Sequence, residues 1–100
     1  MIDKSIITKS IDYYGIETQS TVCMEECSEL IQAISKEKRG KHDLEHLAEE
    51  IADVEICIEM IKQMYCIDNS YVDIWIDKKQ ERILERMDNE RKEHHRENDN

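Results

Sequence analysis

The chain has 100 residues, with 24 Asp plus Glu against 14 Lys plus Arg, two Gly, no Pro, no Phe and a formal net charge of −10. A length of this order fits one domain, and the scarcity of turn-forming residues excludes collagenous, low-complexity and β-sandwich chains. An acidic body repels nucleic-acid backbones, so no direct nucleic-acid binding is expected. No apolar run approaches the ~18 residues of a membrane span, and no basic start leads into an apolar stretch as in a signal peptide. A cytoplasmic protein without a membrane partner is therefore expected, with Cys23, Cys27, Cys57 and Cys66 as reduced thiols. A chain this short buries only about two-thirds of its unfolded surface, so a homodimer or a dimer of dimers is expected.

Four helices are predicted in chain order. The first covers residues 3–14, with Ile6, Ile7, Ser10, Ile11 and Tyr14 on one side and Gly15 as its stop. The second starts near Thr18, a suitable N-cap, and continues to about residue 38 before Gly40. Its core candidates are Val22, Leu30, Ala33 and Ile34, with Cys23 and Cys27 beside them. The third covers about residues 43–64, where Leu44, Leu47, Ile51, Val54, Ile58 and Ile61 recur at steps of three and four. Asp68, Asn69 and Ser70 offer caps for a fourth, with Val72, Ile76, Ile83 and Met87 as its buried stripe and Trp75 nearby. The expected fold is all-α, an antiparallel bundle of about four helices over residues 1–90, followed by a polar tail, residues 91–100, that frays.

Two pairs of acids stand out. Glu26 and Glu29 lie i, i+3 on the second helix, and Glu50 and Asp53 repeat that spacing on the third. Both pairs border apolar stripes, where an unpaired carboxylate is costly. Two antiparallel helices bring the pairs to one level, and four carboxylates in one cleft need a cation. Oxygen ligands without imidazole or thiolate favour Mg²⁺ or Mn²⁺. The alternative is a solvated acidic face, common in a chain with 38% charged residues.

The run Glu25-Glu26-Cys27-Ser28-Glu29-Leu30-Ile31-Gln32-Ala33, followed by Leu47-Ala48-Glu49-Glu50-Ile51-Ala52-Asp53-Val54, resembles the paired E-x-x-E and E-x-x-D signature of the MazG-like all-α nucleotide pyrophosphohydrolases. The resemblance covers roughly residues 14–87. It implies a helical bundle, commonly completed by dimerisation, that uses Mg²⁺ to cleave nucleoside triphosphates to the monophosphate and pyrophosphate. It implies Glu26, Glu29, Glu50 and Asp53 as metal ligands, and house-cleaning of nucleotides as a role. Metal ions in such a site neutralise phosphate oxygens and acidify a water. Glu25 and Glu49 are the candidate catalytic carboxylates that relay its proton, unless they are plain surface residues. Lys79 and Arg82, i, i+3 on the fourth helix, resemble the family's basic word and so suggest phosphate contacts; Glu81, Glu85 and Arg86 equally fit a salt-bridged surface. Gln19 stands where family members often carry a Gln near the nucleotide pocket. Tyr13, Tyr14 and Trp75 could stack on a base or simply pack.

The basic connection Lys36-Glu37-Lys38-Arg39-Gly40-Lys41 joins the two acidic helices, where it could close over a ligand or remain a solvated loop. Cys23-x3-Cys27 and His42-x3-His46 match zinc-finger spacing, but the cysteines fall in a predicted helix rather than a hairpin. A di-iron bundle wants Glu-x-x-His on two helices, and no His occupies such a position here. The rival of another class is a non-catalytic acidic helical interaction or regulatory protein, for which the acidic pairs would be accidental.

Overall fold

The structure is a computed structural model and describes residues 1–98. It is all-α: α1 (Lys4–Tyr14), α2 (Ile16–Lys38), α3 (Leu44–Met64) and α4 (Asn69–Asn98). The chain divides into two compact units, one ending at Ile67 and one beginning at Asp68.

In the first unit, local chemistry sets each helix end. Asp3 caps α1 by accepting from the Ser5 backbone N–H at 3.0 Å. Gly15, at φ 90° and ψ 158°, both ends α1 and starts α2, a conformation that side chains with a Cβ rarely adopt. One glycine thus makes the whole break, and α2 begins at Ile16 rather than at a Thr18 cap. The turn after α2 passes through Gly40 at φ 82°. Asp43 then caps α3 by accepting from His46 N–H at 3.0 Å.

Helices α2 and α3 are antiparallel. Ser20 meets Tyr65, Cys23 meets Met60 and Glu26 meets Asp53, so one helix is read forwards as the other is read backwards. Helix α1 packs on both. The buried cluster is Ile7, Cys23, Cys57, Met60 and Met64, with Ile11 and Ile61 against it. Polar ties flank it: Thr8 Oγ1 donates to Gln63 Oε1 at 2.7 Å, Gln63 Nε2 donates to the Lys4 carbonyl at 3.2 Å, and Lys4 Nζ lies 3.8 Å from Glu59.

The core is narrower than the apolar periodicity predicts. Ile6, Tyr14, Ile34, Leu44, Ile51 and Ile58 are exposed, because three helices cover only the facing strip of each. Sulfur-bearing side chains, Cys57, Met60 and Met64, fill the centre instead, a use suited to their flexible or compact shape.

The second unit is α4. The Ser70 N–H is held by Asp68 Oδ1 at 3.0 Å. None of its described residues is buried: Ile76, Ile83, Met87 and Trp75 are exposed, and Val72 is half-buried. The expected buried stripe is therefore uncovered. The helix continues beyond residue 90 through the polar stretch to Asn98, where good helix formers and a Lys92–Asp88 ion pair at 3.1 Å support it. Residues 99 and 100 of the predicted tail lie outside the described residues. Among the described residues, no helix is long and apolar enough to cross a membrane.

Candidate metal centre

Antiparallel pairing brings the two acidic motifs together, as their spacing predicts. Ligand oxygens of Glu26, Glu29 and Glu50 all lie within 4.8 Å of one another. Asp53 stands beside them, with its carboxyl against that of Glu26. Burial falls towards the solvent side: Glu50 is only 3% exposed, Glu26 and Asp53 are half-buried, and Glu29 is exposed.

These carboxylates strain against one another. Burial pushes the Glu26 carboxyl above its ordinary range, and a hydrogen bond with Asp53 and repulsion from Asp53, Glu29 and Glu50 push it further. Burial also raises Glu50; Glu29, Asp53 and Glu49 add repulsion, while His46 opposes them. His46 Nε2 stands 3.8 Å from Glu50 Oε1. Yet Glu26 Oε2 and Glu50 Oε2 are buried with no hydrogen-bond partner among the described residues. An orphaned carboxylate oxygen is costly, and two of them in one acidic cluster fit a bound cation. The donors are all carboxylate oxygens, which suits a hard divalent ion.

The remaining candidates are placed as follows. Glu25 and Glu49 are exposed beside the ligand positions, and Glu49 is close enough to Glu50 to raise it. Gln19 is buried between α1 and α2, where its Nε2 donates to Ser10 Oγ. Lys79 and Arg82 are exposed on α4. Tyr13 and Tyr14 meet edge to face at 4.8 Å, and Lys78 Nζ sits 5.1 Å from the Trp75 ring centre. The zinc spacing is not assembled: Cys23 donates its thiol towards the Cys57 carbonyl, Cys27 is exposed, and His42 bonds Glu37. The buried thiol of Cys57 is pushed up to about 12 by desolvation, which makes it an inert filler.

Two features escaped the sequence analysis. His46 approaches Glu50 at i, i+4 on α3, a spacing that could have signalled it. Glu37 accepts from the Asp43 N–H at 3.0 Å and meets His42 Nδ1 at 2.6 Å, which holds the α2–α3 turn. That link joins residues across an irregular turn, where periodicity carries no information.

No family model, curated protein or solved structure matches the chain.

Proposed function

We propose that the chain is a metal-dependent nucleoside triphosphate pyrophosphohydrolase, converting NTP or dNTP and water to the monophosphate and pyrophosphate. The observation that carries it is the pair of buried, partnerless oxygens, Glu26 Oε2 and Glu50 Oε2, inside a carboxylate cluster assembled from two helices. The resemblance of the two motifs to the MazG-like signature supplies the reaction and the substrate class.

In this reading Glu26, Glu29, Glu50 and Asp53 hold Mg²⁺, with Mn²⁺ as a substitute. When bound, the cation neutralises phosphate oxygens and acidifies water. The protein's own groups do the rest. Glu25 and Glu49, exposed at the rim, take the proton released by the attacking water. His46 steadies Glu50 from the next turn of α3. Lys79 and Arg82 are exposed cations on α4, and Gln19, bonded to Ser10, ties α2 to α1. The protein works as a homodimer or dimer of dimers; the uncovered apolar side chains of α4, among them Ile74, Trp75, Ile83 and Leu84, support association.

Those same side chains favour one other reading, a non-catalytic helical protein that docks on a partner. Thermal melts with and without Mg²⁺ separate the two, because an ion that binds only the folded chain raises its stability by mass action. The hydrolase requires a Mg²⁺-dependent rise that Glu50→Gln removes. An interaction protein with accidental acids would melt at the same temperature in both conditions.

A further inference from the structure

A cleft lies one helical turn from the carboxylates. The end of α2, the turn after it and the start of α3 enclose a cleft of about 400 Å³, lined by Ala33, Lys36, Glu37, Lys41, His42, Asp43 and His46. His46 also faces Glu50, so this cleft adjoins the acidic cluster. The turn that shapes it is firmly built. Gly40 N–H donates to the Glu37 carbonyl at 3.0 Å and Lys41 N–H to the Lys36 carbonyl at 3.0 Å, folding Lys41 back beside Lys36.

The charges in the cleft are unequally occupied. Glu37 is engaged by His42 and the Asp43 N–H, which hold its carboxyl below the ordinary range. Asp43 is engaged in capping His46 N–H. Neither Lys36 nor Lys41 takes part in an ion pair among the described residues. Two ammonium groups thus share a cleft with two carboxylates whose oxygens are committed to His42 and to backbone N–H groups, which leaves the ammonium N–H donors for a ligand. A multiply charged anion is the ligand such a pair fits.

We propose that Lys36 and Lys41 bind the terminal phosphates of a polyphosphate ligand whose inner phosphates lie against the Glu26, Glu29 and Glu50 cluster. The inference deepens the pyrophosphohydrolase reading and rests on it for the ligand's identity. It makes the α2–α3 turn the pyrophosphate end of the site. The carboxylates would hold a divalent ion that neutralises the inner phosphates, and the lysines would meet the outer ones directly.

The test is calorimetric titration of the full chain with pyrophosphate in excess Mg²⁺, and with Mn²⁺ alone. Lys36→Ala/Lys41→Ala is compared with Lys38→Ala/Arg39→Ala, which removes equal charge from the same turn but outside the cleft lining. All four side chains belong to exposed residues, and unchanged helical circular dichroism is expected of both variants. The expected result is pyrophosphate binding weakened about tenfold or more in the first variant, little change in the second, and Mn²⁺ binding equal in all. No pyrophosphate binding by the wild type, equal affinity in the first variant, or equal loss in both variants overturns the proposal. Nucleotide turnover tells the two readings apart. Lysine-dependent pyrophosphate binding without turnover keeps the cleft and removes the hydrolase, whereas turnover with lysine-independent binding does the reverse.

Discussion

At Glu50, α3 places a carboxylate where its neighbours in the helix ladder would favour an apolar side chain. The side chain is 3% exposed, one oxygen has no partner, and Glu26 repeats the pattern across the gap. Glu50→Gln keeps the size and removes the charge. The variant is expected to keep its helical circular dichroism, to melt no lower than the wild type in EDTA, and to lose both the Mg²⁺-dependent rise in melting temperature and turnover. The pH dependence has a definite sign. Glu26 and Glu50 are raised in the folded state above the ordinary glutamate value of 4.5, so in that window the folded chain binds more protons than the unfolded one. The metal-free protein should therefore lose stability as pH rises from 4.5 through the raised values. Glu37, lowered by His42, contributes the opposite slope below that window. Denaturant melts in EDTA from about pH 4 to about pH 8 check the balance, and a flat or rising profile above the ordinary glutamate range would show that the carboxylates are not desolvated.

At the scale of elements, the α2–α3 hairpin does most of the positioning. Its turn depends on Gly40 at φ 82°, where an added Cβ would meet nothing within 4 Å. Gly40→Ala should therefore cost only the backbone strain, about 1–2 kcal/mol, read from the denaturation midpoint. Met60, in the buried cluster, should cost about 2–5 kcal/mol on Met60→Ala. The acidic motifs were legible in the sequence because i, i+3 spacing fixes a shared face on any helix. The four helices were legible because glycine and capping side chains mark their ends. The start of α2 was misplaced because Thr18 is a good cap that the chain does not use once Gly15 has made the break. The core was only partly legible: periodicity shows which residues could be buried, and the number of neighbouring helices decides which are. The basic connection was visible as a run of charge, but which of its side chains line one cleft, Lys36 and Lys41 rather than Lys38 and Arg39, is set by an irregular turn that has no period to read.

For the whole molecule, the balance of charge and apolar surface is the governing fact. The chain carries −10, yet exposes Ile74, Trp75, Ile83, Leu84 and Met87 along α4. Association of copies would cover apolar surface of this kind. Light scattering after size exclusion should give a mass of at least twice 12.0 kDa, and Ile83→Glu/Leu84→Glu should shift it to the monomer. A monomeric wild type would instead direct attention to a different partner for α4.

The most direct test of the account is release of pyrophosphate from a panel of ribo- and deoxyribonucleoside triphosphates, with Mg²⁺ and with EDTA, by the wild type and Glu50→Gln. The account predicts release that requires the metal and falls to background in the variant. Silence across the panel, or equal release by Glu50→Gln, would contradict it.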